Sequence, residues 1–224
     1  MAVIISLLLM QLPPFTPPAV KKKIVHELTE GFVYLKNTPS ISIVLLLMAW
    51  MSLLILPYDT MVPVFAKMIF HGNAATFGYI SSFIGAGAIA GSLLMASVKK
   101  AGKLDRVLII SIVILGIGLI FFSRISNFMM SMPFAVLIGA GSMLPMTAAI
   151  TIIQMEAAAA MRGRVMSYIA MAYFGLLPLG SLLVGYVSQK ISVSLTMLIQ
   201  GLIALVIATA FYRIFQSNNK PINQ

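Results

Sequence analysis

Long apolar stretches alternate with short polar segments along most of the chain. Six of the apolar stretches have about the 20 residues that a helix needs to cross the hydrocarbon core of a bilayer. Their predicted bounds are residues 40–66, 75–98, 107–123, 128–155, 165–189 and 192–213. The pattern therefore predicts an all-α membrane protein with a bundle of six transmembrane helices over residues 39–213.

A shorter apolar segment, Val3–Leu12, precedes the bundle and has about half the length of a span. It has no basic residue before it, whereas a signal peptide needs a positive start and a cleavage site of small residues. We therefore interpret residues 1–12 as the tail of a helix. Residues 13–38 are predicted to be a linker that contains an amphipathic interfacial helix at Lys21–Lys36, and residues 214–224 form a polar tail.

The composition supports a lipid environment. Hydrophobic residues make up 60% of the 224 positions and charged residues 9%, whereas soluble domains carry about 25% charged residues. The mean hydropathy is +1.04, and only lipid accepts a surface this apolar. The net charge of +10 does not predict a nucleic-acid partner, because the basic residues stand in short runs between apolar stretches.

The sequence lacks the residue patterns of metal sites and of common catalytic sites. Cysteine is absent, which excludes disulfides and thiolate ligands. His26 and His71 lie far apart in predicted loops, so we expect no metal site. There is no Ser/His/Asp set, no HExxH sequence and no pair of buried carboxylates. We therefore expect neither an enzyme nor a cofactor.

The distribution of basic residues predicts the orientation of the bundle. If the linker before the first span is cytoplasmic, 12 Lys and Arg residues fall on that side and only Lys67, Arg124 and Lys190 on the other. Basic residues concentrate on the cytoplasmic side of membrane proteins. An even number of spans places both termini on one side, so we expect both to be cytoplasmic.

Asp59 is the only acidic residue well inside an apolar stretch, and Pro57 and Pro63 stand close to it. Prolines in a spanning helix free backbone carbonyls, which is tolerated where the backbone lines a cavity. Asp59 could then face water and bind a cation or carry a proton. Alternatively, it ends the span near the outer headgroups, because it stands about 19 residues, or roughly 28 Å, beyond Ser40.

Several side chains inside the spans suit a cavity for apolar ligands. The 17 methionines supply flexible, polarizable surface of the kind that adapts to such ligands. For any one apolar side chain, the alternative is packing against lipid or another helix. The predicted cavity residues are Tyr58, Asp59, Phe83, Met143, Met146, Gln154 and Tyr173.

Glycines and prolines recur in the predicted spans. Gly85, Gly87 and Gly91 have the spacing GxGxxxG, which departs from the dinucleotide-binding GxGxxG, and no strand precedes them. Gly87 and Gly91 instead form GxxxG, a small-residue surface for close helix contact in lipid. We expect helix packing or bending at Pro57, Pro63, Gly87, Gly91, Pro178, Gly180 and Gly185.

Arg162, Gly163 and Arg164 begin the fifth apolar stretch, shortly after Glu156 ends the fourth. One interpretation is a basic cap of the kind expected at cytoplasmic helix ends. The other is a gate, in which guanidinium groups hold carboxylates or helix carboxyl termini in one conformation. The sequence leaves both open.

These residues together resemble the second half of major facilitator superfamily transporters. The closest branch is that of bacterial exporters related to the enterobactin exporter and the drug/proton antiporters. The similarity covers about residues 20–213, and the RGRVMS and PLG patterns are its most specific parts. It is carried by Glu30–Lys36, Leu56–Ala66, Gly78–Tyr79, Gly85–Ala88, Arg162–Ser167 and Pro178–Gly185.

The resemblance implies that the six spans correspond to helices seven to twelve of a twelve-helix fold, and residues 1–12 to the end of helix six. It directs Tyr58, Met143, Met146 and Gln154 toward a central substrate cavity. Gly102, Asp105 and Arg106 resemble a shortened cytoplasmic gating loop, which lacks the Gly-Arg pair that follows in the family. Ala157–Ala160 replace the acidic residues that relatives often carry before Arg162.

The resemblance further implies transport across the bacterial plasma membrane. We expect export of small organic compounds by alternating access, coupled to protons, with the missing amino-terminal half or a second copy as partner, and membrane lipids around the bundle. Two alternatives are a half-size transporter that works as a homodimer and a membrane scaffold subunit without transport activity.

Overall fold

The computed structural model describes the backbone of residues 24–97 and 104–218, and the side chains of residues 29–97 and 104–216. Several predictions therefore lie outside the described residues. They concern Val3–Leu12, the lysines at 21–23, Gly102 and the end of the tail beyond residue 218.

All regular structure in the described residues is helical. The helices are α1 (Ile24–Lys36), α2 (Pro39–Trp50), α3 (Tyr58–Met68), α4 (Ala74–Ala96), α5 (Leu104–Arg124), α6 (Phe128–Glu156), α7 (Arg162–Ala170), α8 (Leu176–Lys190) and α9 (Val193–Asn218). Two π-helical segments lie between these helices. Met51–Ile55 follows α2 and precedes the two-residue turn before α3, and Met171–Gly175 connects α7 directly to α8.

Six helical units are long and apolar enough to cross a membrane, which confirms the predicted six-helix bundle. We call them spans 1 to 6. Span 1 joins α2 and α3, and span 5 joins α7 and α8; the others are single helices. Their bounds are Pro39–Met68, Ala74–Ala96, Leu104–Arg124, Phe128–Glu156, Arg162–Lys190 and Val193–Gln216. The last helix runs to Asn218, so the predicted tail at residues 214–224 begins inside it.

Asparagine side chains cap the amino-terminal ends of spans 2 and 4, directly after short loops. Asn73 Oδ1 accepts hydrogen bonds from the N–H groups of Ala75 (3.0 Å) and Thr76 (3.3 Å). The Thr76 hydroxyl accepts in return from the Asn73 N–H, which completes a capping box. Asn127 Oδ1 accepts from the Met130 N–H at the start of α6. These bonds occupy N–H groups that a helix start leaves without a partner inside the helix.

Glycines allow the central helices to approach one another closely. A Cβ at Gly87 would fall on the Val136 carbonyl oxygen, and one at Gly91 would lie 3.0 Å from the Ala140 carbonyl oxygen, so α4 lies directly on α6. Gly141 brings α6 equally close to the backbone of Leu115 on α5. Because α4 is helical and no strand precedes it in the described residues, the structure rules out a dinucleotide-binding turn at these glycines.

Candidate functional site

Span 1 is broken near its middle, between the π segment Met51–Ile55 and α3. The Leu56 N–H donates to the Met51 carbonyl, five residues back, and Pro57 has no N–H to donate. The Asp59 N–H then bonds the carbonyl of Leu56 (3.3 Å) rather than that of Ile55, its usual partner in an α-helix. The break therefore leaves backbone acceptors of the preceding turn without their usual helical donors.

Gln200, which the sequence analysis did not single out, supplies the missing donors. Its Nε2 donates to the carbonyls of Leu54 (3.2 Å) and Ile55 (3.3 Å). The side chain is only 2% exposed, and its Oε1 has no hydrogen-bond partner in the structure. A signal was present in the sequence, because Gln200 is a lone amide inside the last apolar stretch, where polar side chains are costly.

Span 5 contains a similar irregularity, which we also call a break, although this span remains helical throughout. The π segment Met171–Gly175 is followed by Pro178, which cannot donate to the carbonyls before it. The buried Ser52 hydroxyl, on the π segment of span 1, donates to the Tyr173 carbonyl. Gly180 lies against the Leu53 carbonyl and the Pro57 ring, where a Cβ would overlap both. The two breaks therefore contact one another.

A cavity of about 270 Å³ lies beside these breaks. Spans 1, 2, 4 and 5 all contribute to its wall. Its lining residues are Leu56, Pro57, Tyr58, Asp59, Thr60, Ala88, Ser142, Met143, Tyr173, Leu177 and Ser181. Four of the predicted cavity residues, namely Tyr58, Asp59, Met143 and Tyr173, are thus brought together.

The cavity wall is mostly apolar but carries several polar groups. It carries one carboxylate, from Asp59, and the hydroxyl groups of Thr60, Ser142 and Ser181 together with two tyrosines. No basic side chain is among the lining residues. Such a wall can hold a polar or charged group in a protein whose remaining surface is largely apolar.

The helical unit of span 1 does not end at Asp59. Span 1 continues nine residues further to Met68, or about 13 Å at a rise of 1.5 Å per residue. The middle of the span falls between Leu53 and Leu54, so Asp59 stands about 8 Å from it along the helix axis. The side chain is exposed and lines the cavity.

Three predicted cavity residues do not line the cavity. Phe83 is 41% exposed on α4 and lies five residues before Ala88, which places it about 140° around the helix. Met146 is half-buried and packs against the core. Gln154 is exposed near the end of α6, 11 residues beyond Met143, or about 16 Å away along the axis. Rotation and depth, which the residue types do not encode, separate these side chains from the cavity.

The predicted bending and packing positions divide into two groups. Pro57 and Pro178 follow the two π segments, and Gly180 lies between the breaks. Pro63 does not interrupt α3, which is continuous to Met68. A Cβ at Gly185 would meet nothing within 4 Å, so Gly185 has no close helix neighbour among the described residues.

The predicted gate residues lie near one end of the bundle. Asp105 and Arg106 begin α5, and Arg162 and Gly163 are exposed at the start of α7. Arg164 Nη1 lies 2.5 Å from Glu30 Oε2, so the carboxylate partner comes from α1 and not from the segment before Arg162.

Further contacts hold α1 against this end of the bundle. The Tyr34 hydroxyl accepts a hydrogen bond from the Ala158 N–H (3.0 Å). A Cβ at Gly31 would lie 2.8 Å from Tyr168 Cε2, so the α1 backbone lies directly on that ring. Helix α1 therefore covers the loop between α6 and α7.

Six apolar spans define a multi-pass α-helical membrane protein, and two of them are irregular beside a cavity that carries polar groups. The family model described as a transmembrane secretion effector, one of the major facilitator superfamily, matches residues 1–222. The chain belongs to this family, which confirms the resemblance to major facilitator superfamily transporters. No curated protein matches the chain.

Proposed function

We propose that this chain forms one half of a secondary transporter that exports small organic compounds across the bacterial plasma membrane. The family supports membrane transport in general. The direction of transport, the proton coupling and the substrate class are our own proposal. The excess of basic residues on one side supports cytoplasmic termini.

The main support for the proposal is the cavity beside the two helix breaks, whose wall carries a carboxylate and several hydroxyl groups. Transporter sites typically lie near the bilayer midplane, at discontinuous helices whose unwound backbone lines the site. Here the cavity wall includes the Leu56–Thr60 turn after the first break and Tyr173 in the second. The cavity can hold only a small ligand unless a partner enlarges it, because its volume is about 270 Å³.

Asp59 is the residue that we propose as the proton carrier. It provides the only carboxylate among the lining residues, and the wall contains no basic side chain that would neutralise it permanently. A carboxylate inside a membrane protein takes up or releases a proton when its access to water changes. Alternating exposure of the cavity would therefore couple proton entry to substrate exit.

A second six-helix bundle is part of the proposal. In the most apolar part of spans 2 and 5, only 22% of the residues are buried, against 44–56% in the other spans. Both spans also carry glycines at which a Cβ would meet none of the described residues within 4 Å, namely Gly78 and Gly85 on α4 and Gly185 on α8. Small residues are enriched where membrane helices meet, so these faces suit contact with an amino-terminal six-helix half or a second copy.

The test is expression of the complete reading frame in an efflux-deficient host, followed by a panel of toxic compounds. We expect resistance to at least one compound, and loss of that resistance in Asp59→Asn, which retains the size of the side chain but cannot carry a proton. Phe83→Leu is the matched control, because Phe83 lies outside the cavity. Full resistance in Asp59→Asn would contradict proton transfer at this position.

Two other functions make different predictions. A homodimeric half-transporter would reconstitute proton-coupled flux from this chain alone, whereas one half of a larger transporter would not, and we expect no flux from a purified monomer. A scaffold subunit would copurify with a stoichiometric partner and would tolerate changes at Asp59 and Gln154 without loss of export.

A further inference from the structure

Gln200 is held in a fixed position by the contact between spans 3 and 6. A Cβ at Gly116 would lie 2.9 Å from the Gly201 carbonyl oxygen, and a Cβ at Gly201 would lie 2.8 Å from the Gly116 carbonyl oxygen. The two helix backbones therefore touch at the position next to Gln200. Close backbone contacts of this kind are stable in membranes because small residues allow extensive packing.

From this position Gln200 reaches the break in span 1. Its amide nitrogen carries two N–H donors, and the two acceptors are the successive carbonyls of Leu54 and Ile55. Both carbonyls belong to the turn directly before Pro57, where regular helical bonding fails. The structure shows no partner for Oε1, so the bonds that Gln200 makes there are donated ones.

The break in turn sets the direction in which α3 starts. Tyr58 and Asp59 follow within four residues of Ile55, and both line the cavity. On the opposite side, the Ser52 hydroxyl connects the same π segment to the Tyr173 carbonyl of span 5. The segment is thus bonded to span 6 through Gln200 and to span 5 through Ser52.

We propose that Gln200 is a positioning residue, which fixes the break in span 1 and thereby the place of Asp59 in the cavity. It acts through the backbone of Leu54 and Ile55 and is not itself a lining residue. Its importance for transport rests on the proposed function, but its effect on the position of Asp59 does not.

The test uses thiol labelling, for which the natural absence of cysteine provides a clean background. Asp59→Cys places a reporter on α3, directly after the break. Met143→Cys places a control reporter in the same cavity but on α6, which Gln200 does not contact through hydrogen bonds. Each reporter is combined with Gln200→Met, which removes both donors at nearly constant volume, and labelled in membranes with a small water-soluble thiol reagent.

We expect Gln200→Met to change the ratio of the two labelling rates, Asp59→Cys over Met143→Cys, by at least about threefold. An unchanged ratio would overturn the proposal, whether both labelling rates stay constant or both change equally. Equal changes at the two reporters would indicate general loosening of the bundle, which affects the whole cavity. If Gln200→Met does not fold, Gln200→Asn carries the test, since it retains the amide but is one methylene shorter; we expect the ratio to shift in that variant too.

A second background separates an effect through the break from an effect elsewhere. Pro57→Ala restores an N–H at the position where the proline removes one. In that background we expect Gln200→Met to change the ratio less, because effects that act through one structural feature are not additive. An equal effect in both backgrounds would place the action of Gln200 outside the break. A chain that shows the expected ratios without transport would leave this inference intact and contradict only the proposed function.

Discussion

Gly180 and Gly185 lie five residues apart on α8 and have opposite surroundings. At Gly180 a Cβ would overlap the Leu53 carbonyl and the Pro57 ring, and neither group can move without shifting the backbone of span 1. At Gly185 the same atom would meet nothing within 4 Å. The sequence alone treats the two positions alike, because both are glycines in one apolar stretch, and only the packing of span 5 on span 1 distinguishes them.

Gly180→Ala is therefore expected to destabilise the folded protein by about 1–3 kcal/mol, the usual cost of overpacking a close contact. Gly185→Ala is expected to be neutral or to stabilise the protein by up to about 1 kcal/mol, because a Cβ fits there and alanine has the higher helix propensity. The two melting temperatures, measured in detergent by circular dichroism, check the difference. A melting temperature for Gly180→Ala equal to that of Gly185→Ala would contradict the contact between the two breaks.

Only some of the individual cavity residues could be predicted from the sequence. Tyr58 and Asp59 were found because a charge and a proline inside an apolar stretch violate the general pattern of a spanning helix. Ser142 and Ser181 were not found, since single hydroxyl groups are common in spans and cost little once they bond their own helix. Phe83 and Gln154 do not line this cavity, because their rotation and depth place them elsewhere on their helices.

Whole helices were predicted more accurately than single residues. The six spans agree with their predicted bounds to within a few residues because hydropathy depends mainly on the local sequence. The π segments Met51–Ile55 and Met171–Gly175 were not predicted, since their displaced carbonyls are tolerated only through donors and close contacts from other spans. The hydrogen-bond partners are separated by 121 residues for Ser52 and Tyr173 and by 146 residues for Leu54 and Gln200, so a local sequence pattern cannot predict these bonds.

Helix α1 illustrates an element whose position depends on a few polar contacts. Its link to α7 is the Glu30–Arg164 ion pair, in which the two side chains are 27% and 26% exposed. Pairs at such exposure contribute about 0–1 kcal/mol and weaken with salt. The Tyr34–Ala158 hydrogen bond and the contact of Gly31 with Tyr168 add to it, so α1 is held by several modest interactions.

Glu30→Gln is expected to accelerate amide hydrogen exchange in α1 by up to about fivefold, because about 1 kcal/mol of docking energy corresponds to that factor. Exchange in residues 24–36, followed by mass spectrometry at low salt, checks the prediction. The matched control is Glu156→Gln, since Glu156 is exposed at the end of α6 and makes no ion pair among the contacts described. Faster exchange in the control as well would show that net charge, rather than the ion pair, is responsible.

At the scale of the whole molecule, the bundle is unevenly covered. Spans 3 and 4 are the most buried, whereas spans 2 and 5 keep most of their surface outward. The cavity is lined from spans 1, 2, 4 and 5, so both of the less covered spans contribute to its wall. Polar groups that face lipid are unfavourable, which supports the proposed partner bundle over this face.

A thiol on span 2 is expected to report that partner. Gly85→Cys should react at least about fivefold more slowly with a lipid-soluble maleimide in native membranes than in the purified chain, because small outward residues mark helix contacts. Val206→Cys, at a position that is 65% exposed on α9, should react equally in both preparations.

Oxidative cross-linking then identifies the occupant of this face. A disulfide between two Gly85→Cys chains would indicate a second copy, and protection without a cross-link would indicate a different bundle. Equal reactivity of Gly85→Cys in both preparations would contradict a partner on span 2.

The bond between Gln200 and the first span has a consequence for biogenesis. Span 6 leaves the ribosome after the other five described spans, so the Leu54 and Ile55 carbonyls enter the bilayer about 145 residues of synthesis before their donor does. During that interval these two carbonyls need other hydrogen-bond donors, from water, lipid headgroups or the insertion machinery. We therefore expect stable release of these six spans into lipid to require span 6, and a product that terminates before residue 200 to keep the Leu54 and Ile55 carbonyls without their donor.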